Sequence, residues 1–268
     1  MSYPVVSGKT DFIRMSILNS IYNPSSFAFI EKFGIDKAMS VLEIGCGYGS
    51  TAIWLAKKVG CKGRVLAIDQ DCRQIKFSIN RSKGLNLTNL SFTQASLEDL
   101  FPRFLDSFDF IYIRWTLMFI NQPLNWLRLI YQLLKSGGSL VCEDISVISN
   151  GIFTCPKSDI GERWTKMMKN NFQALNLDLD LAGSLYSMFM QAGFDSLDAE
   201  IYQPLLKTKK EKSICRLGIA CTKYSILENN SVTPEEFEGL VKDLKGYENC
   251  TKSIIGYVRT FMISGKKQ

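Results

Sequence analysis

The chain has 268 residues, a 46% apolar fraction with 12% aromatic side chains, and a formal net charge of +6. That apolar content supports a sizeable core and excludes disorder over most of the chain, and no apolar run reaches the roughly 18 residues of a membrane span. The complete absence of histidine removes His-based triads, histidine metal ligands and the commonest base near neutral pH.

The N-terminal stretch MSYPVVSGKTDFIRM lacks a basic segment followed by an apolar one, so no secretory leader is expected. Residues 11–33 read as helical. Ser40–Ile44 is a compact apolar run ending in glycines, and Thr51–Val59 follows with helical spacing. Gly60–Gly63 turns the chain, Arg64–Ile68 reads as a second buried strand, and Asp71–Lys83 as a helix. Leu90–Thr93 and Phe108–Ile113 fit a third and a fourth strand. An amphipathic helix spans Pro123–Lys135, with Gly137-Gly138 as its stop signal, and Leu140–Glu143 begins a fifth strand. Regular alternation of this kind predicts right-handed crossovers and an α/β fold, with a doubly wound, mostly parallel sheet and helices on both faces.

Residues 158–192 give two more helical patterns, and a strand at Ala199–Leu205 resumes the sheet. A helix follows from about Glu211 to Leu227, and another from Thr233, with Thr233 as N-cap, Pro234 at the first helical position and Glu236 closing a capping box. The final strand is placed at Ile254–Met262. No repeat or long linker appears, so a single domain over 1–268 is expected: a helical cap at 1–36, a core at 37–144, a helical lid at 145–190, and a C-terminal part at 191–268.

The eight cysteines show no CxxC pair or short spacing, and several sit in apolar runs, as Cys142 does in SLVCED. That favours reduced thiols and a cytoplasmic setting, with no metal site. The basic run KTKKEK at 207–212 reads first as a solvated surface, and second as a patch for phosphate or an anionic membrane. Aromatics are not interleaved with these charges, so nucleic acid is not the expected partner.

Chemistry concentrates in VLEIGCGYGS at 41–50, between a strand and a helix. Gly45 and Gly47 permit a tight turn and a ligand's close approach to the backbone, and Gly49 lets the helix pack near the strand. The spacing is GxGxG, not the GxGxxG of dinucleotide sites. Glu43 precedes the loop, where a carboxylate repels a pyrophosphate but supports a cationic amino-acid moiety. Asp69 ends the second strand, where it can accept from both ribose hydroxyls; the alternative is a helix N-cap, which Asp71 can supply instead. Arg114, at the end of the fourth strand, pairs either with a cofactor or substrate carboxylate, or with Glu143 or Asp144 on the fifth strand. For Trp115, Met118, Phe119 and Trp164, core packing is the default, and an apolar wall beside a sulfonium is the alternative.

As an ordered set, VLEIGCGYGS, VLAIDQD, TQASLEDL, FDFIYIRW and LLKSGGSLVCED resemble the motifs of class I S-adenosylmethionine-dependent methyltransferases over residues 41–144. AGF at 192–194, the late helical pair and the opening DFIRM resemble the small-molecule branch related to ubiquinone and menaquinone enzymes. The resemblance implies a Rossmann-like seven-stranded fold and S-adenosylmethionine as cofactor. Gly45 and Gly47 would face its methionine part, Asp69 its ribose, and Gln70 would lie along the adenosine. Ser96 and Leu97 would edge the adenine. Many relatives carry aspartate where Ser96 stands; serine is shorter and neutral, which counts against a direct side-chain contact to the adenine amino group and leaves a Leu97 backbone contact open. Arg14 falls where the family often carries an arginine for the cofactor carboxylate, although a solvated helix arginine is the first reading of it.

The resemblance implies methyl transfer to a small, partly apolar molecule. Without histidine, any base would be Glu143, Asp144 or a tyrosine, and no residue stands out as catalytic. A protein methyltransferase and a non-catalytic binding protein of the same fold are the alternatives, and the GxGxG spacing counts against a nicotinamide oxidoreductase. IRWT stands in place of the (N/D)PP(Y/F) motif of many base-methylating enzymes.

Overall fold

The computed structural model describes residues 5–147 and 151–268. In chain order it holds α1 (Lys9–Lys32), β1 (Ser40–Ile44), α2 (Ser50–Val59), β2 (Arg64–Asp69), α3 (Cys72–Ser82), β3 (Leu90–Gln94), β4 (Phe108–Arg114), α4 (Pro123–Leu133) and β5 (Leu134–Ser146). It continues with β6 (Phe153–Cys155), α5 (Ile160–Ala174), α6 (Leu185–Ala192), β7 (Asp195–Tyr202), β8 (Leu205–Leu206), α7 (Lys209–Cys221), α8 (Lys223–Glu228), α9 (Pro234–Asn249), β9 (Ile254–Gly256) and β10 (Arg259–Lys266).

The chain divides into two compact units. The first comprises Asn23–Asp144, Ala182–Glu200 and Phe261–Gln268; the second comprises Met1–Tyr22, Ile145–Leu181 and Ile201–Thr260. The expected cap (1–36) and lid (145–190) are each shared between the two units. Residues 1–4 of the cap and 148–150 of the lid lie outside the described residues.

The first unit carries most of a seven-stranded sheet of order β3-β2-β1-β4-β5-β10-β7. β1 pairs in parallel with both β2 and β4, β2 with β3, and β4 with β5. β1 is buried along its whole length, as a central parallel strand covered on both faces must be. Because β1 has β2 on one side and β4 on the other, the strand order reverses there. The carboxyl ends of β1 and β4 therefore form the switch point where α/β folds bind ligands. Asp71 caps α3 by accepting from the Arg73 and Gln74 N–H groups, which leaves Asp69 out of that role.

The second unit holds α5, α7, α8, α9 and a three-stranded antiparallel sheet of order β6-β9-β8. α9 starts on Thr233 with the predicted capping box. α7 starts on a second one, Thr208 with Glu211.

Four sequence-based boundaries are corrected. The helix at 123–135 ends at Leu133, and Gly137-Gly138 lies inside β5 instead of terminating the helix. Between Phe108↔Leu134 and Phe110↔Ser139 the register slips, and the extra residues bulge out with Gly137 at φ 79°. The strand placed at 199–205 runs over Asp195–Tyr202; beyond it Pro204 interrupts the ladder, and Leu205 joins the small sheet. The helix placed at 211–227 starts earlier, on the Thr208 box, and divides at Thr222, whose hydroxyl bonds back to the Gly218 carbonyl. The last strand, placed at 254–262, is two: β9 in the small sheet and β10 in the large one.

Candidate cofactor site

The glycine loop leaves β1 with its amides committed to β2. The Gly45 and Cys46 N–H groups both donate to the Ile68 carbonyl, at 2.9 and 3.0 Å. Gly45 and Gly47 have φ of 72° and 53°, a region that L side chains rarely adopt. Position 45 is closed to a side chain for a second reason: a Cβ there would lie 2.2 Å from Thr116 Oγ1. At Gly49 a Cβ would lie 2.7 Å from the Phe92 ring, so this glycine lets α2 start close against β3.

Asp69 fixes the loop. One carboxylate oxygen accepts from Gly47 N–H at 2.8 Å and the other from Asp71 N–H at 2.9 Å. Burial raises its pKa while these two N–H groups pull it back down. A carboxylate has about four acceptor positions, so two remain for a diol. Opposite Asp69 on β3 is Gln94, and Ala95 N–H bonds to the Asp69 carbonyl, which sets the 95–97 segment beside the end of β2. The Gln70 carbonyl accepts from the Gln94 side chain. Ser96 N–H donates to Asp99 at 2.7 Å, and Leu97 is buried.

Glu43 faces the loop from within β1. It is 4% exposed, and its Oε2 has no hydrogen-bond partner among the described residues. Burial lifts its carboxyl to a pKa of about 8, against the opposing pull of the Arg114 charge and the Ala52 backbone N–H in the first turn of α2. A buried acceptor left unpaired costs about 1–3 kcal/mol.

Arg114 closes the site on the β4 side. Its guanidinium donates to Asn23 Oδ1 at 3.0 Å and Ser26 Oγ at 3.1 Å, both on α1. Ser26 in turn donates to Glu143 at 2.8 Å, and Tyr112 OH donates to the other Glu143 oxygen at 2.9 Å. The Glu143 carboxyl is 1% exposed and raised by burial, against the nearby Arg114 charge and these two hydroxyls. Asp144 accepts from Met118 N–H at 3.1 Å.

Glu43, Gly45, Gly47, Asp69, Gln70, Ser96, Leu97 and Arg114 thus all fall in the first unit, on the carboxyl ends of β1 to β4 and the loops that follow them. Arg14 belongs to the second unit and forms a 2.6 Å ion pair with Asp11. Trp164 also belongs to the second unit, where its indole N–H donates to the Cys215 carbonyl inside the core. The sequence reading missed Asn23, Ser26, Tyr112 and Thr116. The first two lie about 90 residues from Arg114 on a helix of low amphipathicity, so no local pattern marks them.

The residues present are compatible with S-adenosylmethionine: a buried carboxylate oxygen of Glu43 is open to an ammonium group, and Asp69 retains acceptor capacity for a diol. The fold and this strand-end arrangement are those of the class I S-adenosylmethionine-dependent methyltransferases. Residues 35–214 match the family described as Methyltransferase domain, and the chain belongs to that family. It is 27% identical over 171 residues to demethylmenaquinone methyltransferase of Listeria monocytogenes, covering 60% of this chain and 71% of that protein. It is 31% identical over 117 residues to phosphoethanolamine N-methyltransferase 1 of Arabidopsis thaliana, which is 43% of this chain and 23% of that protein.

Among solved structures, the fold matches the YcgJ protein of Bacillus subtilis with a TM-score of 0.62 at 17% identity, covering 91% of this chain and 98% of that one. It also matches Haemonchus contortus phosphoethanolamine N-methyltransferase 2 in complex with S-adenosylmethionine, with a TM-score of 0.60 at 18% identity. There the match covers 98% of this chain and 61% of that one. The protein is accordingly a methyltransferase that uses S-adenosylmethionine.

Proposed function

We propose that this enzyme methylates a small, partly apolar acceptor in the cytoplasm, and that Glu43, Gly45, Gly47, Asp69, Gln70, Ser96, Leu97 and Arg114 hold its cofactor. The observation that carries the site is the buried, unpaired Glu43 Oε2 beside a glycine loop pinned by Asp69. Glu43 receives the ammonium group, and Asp69 the ribose hydroxyls. Leu97 offers backbone and apolar surface to the adenine, and Ser96, held by Asp99, fixes that edge. Arg114 balances the cofactor carboxylate. Arg14 stays a weaker member of the set, because its guanidinium is already engaged by Asp11.

Bound S-adenosylmethionine supplies a sulfonium-activated methyl group, displaced in line by the acceptor's nucleophilic atom. The chain's own contribution is alignment and exclusion of water. Trp115 and Met118, directly after β4, are the apolar side chains placed to serve it. Glu143 has both oxygens occupied by Ser26 and Tyr112, and Asp144 holds the Met118 backbone, so both act as supports and not as bases. An acceptor whose nucleophile is already unprotonated, or acidic enough to lose its proton to water, suits such a site. The named relatives favour either a quinone-like ring or a small amine. Calorimetry with S-adenosylhomocysteine tests the cofactor site. Binding by the native chain, with a tenfold or larger loss in Asp69→Asn, supports the reading; undiminished binding by that variant overturns it. A methyl-acceptance screen of quinol head groups against small amines decides the acceptor class.

A further inference from the structure

The three-stranded sheet of the second unit buries one face only. Thr154, Ile255 and Leu206 point inward, 8%, 0% and 0% exposed. The alternate positions Phe153, Gly256 and Leu205 lie opposite one another across the ladder and share the outer face. There Phe153 is 47% and Leu205 46% exposed, large apolar side chains on either side of a residue with none. The Phe153 ring lies across Gly256: a Cβ on that glycine would come within 2.0 Å of it. Covering a strand glycine accounts for where the ring lies, but not for Leu205 standing out on its other side.

Directly after Leu205 the chain runs through Lys207, Lys209 and Lys210, all exposed. None of the three ammonium groups is within ion-pair distance of a carboxylate among the described residues. Glu211, the nearest acid in sequence, spends its carboxylate on the Lys207 and Thr208 N–H groups. Lys209 and Lys210 are the first two residues of α7, at the positive end of the helix dipole, where cations repel the helix they sit on. An external negative surface relieves that repulsion. The basic run at 207–212, which the cofactor site does not use, thus borders an outward apolar pair.

We propose that this face docks reversibly onto an anionic lipid bilayer, with Phe153 and Leu205 entering the interfacial layer and Lys207, Lys209 and Lys210 lying against lipid phosphates. Charge complementarity selects this occupant. A nucleic-acid strand would want bases stacked on aromatics, of which this patch has one, and an acidic protein surface would leave the chain unbound to vesicles. No covalent step is involved, and the proposal stands whether or not the acceptor assigned above is correct.

The test is co-sedimentation of the full chain with phosphatidylcholine vesicles, with and without phosphatidylglycerol, at low and at physiological ionic strength. Binding is expected only to the phosphatidylglycerol vesicles and should weaken with salt. Each lysine near an anionic leaflet contributes roughly fivefold, so replacing all three by glutamine should weaken binding by about a hundredfold. Phe153→Ser with Leu205→Ser should weaken it by about tenfold more. The thermal melt and S-adenosylhomocysteine affinity of each variant should match the native chain, which separates a docking defect from a folding one. Absence of binding, equal binding to both vesicle types, or unchanged binding by the triple lysine variant would overturn the proposal. So would retention on single-stranded RNA without vesicle binding.

Discussion

The two units bury polar groups for different ends. Around the glycine loop, buried carboxylates outnumber cations: Glu43 and Glu143 lie near Arg114, Asp69 lies near Glu43, and one oxygen of Glu43 is left unpaired. In the second unit the fully buried ammonium of Lys212 donates to the carbonyls of Cys250 and Ser253 and to the Ser253 hydroxyl, all just beyond α9. Its threonines at 208 and 233 close capping boxes. The buried charge and the two helix caps of this unit are thus satisfied internally, while neutral buried groups such as Thr165 Oγ1 and Ser231 Oγ have no hydrogen-bond partner among the described residues. On the proposed cofactor reading, the open Glu43 oxygen is one that a ligand completes, and the cost is recovered on binding.

The strongest way to break this contrast is Gly45→Val. The clash with Thr116 and the positive φ together should cost about 3 kcal/mol of stability and abolish measurable S-adenosylhomocysteine binding by calorimetry. Lys212→Met removes three hydrogen bonds to the groups of Cys250 and Ser253 and should destabilise the chain by about 2–3 kcal/mol in urea, with cofactor affinity unchanged. An affinity loss there would show that the internally satisfied group also serves the ligand.

Asp69→Asn turns an NH2 toward one of two N–H donors, so affinity should fall by about ten- to a hundredfold with little change in the melt. The pH dependence sharpens the contrast further. The Glu43 carboxyl sits at about 8 in the folded chain, far above its unfolded value, so the native state holds a proton the unfolded chain has lost. Its contribution to stability is present at acid pH and declines as pH rises through 8. A bound ammonium reverses the preference, so affinity should rise by up to about tenfold per pH unit between 6 and 8 and then level off. Glu43→Gln should flatten both slopes in denaturation and calorimetric titrations. The smallest effect belongs to Thr233→Ala, about 1 kcal/mol of stability with affinity untouched.

The sheet unit was largely legible because its central strands β1 and β4 are almost wholly buried and its strands are bounded by glycine or turn residues, so β1 to β4 fall within a residue or two of their expected ends. Glu43, the glycines and Asp69 could be named from spacing alone. Asn23 and Ser26 could not, since their partner Arg114 is met only after the chain has folded back. In the second unit the local signals were either strong, as at Thr233, or overridden. Pro204 split one expected strand between two sheets, and the last strand likewise divided between the small sheet and the large one, because pairing partners far along the chain decide where short strands belong.

Trp115 carries a consequence of its own. It follows Arg114 with φ of 50°, and its N–H bonds to the Glu143 carbonyl at 2.7 Å. A bulky residue held in that region costs about 1–3 kcal/mol, so glycine there would relax the backbone and remove the indole in one change. Selection for thermal tolerance alone would therefore tend to erase this corner, and a more durable variant would emerge with a blunted site. The turn after β4 marks where durability and competence in this protein are traded against each other.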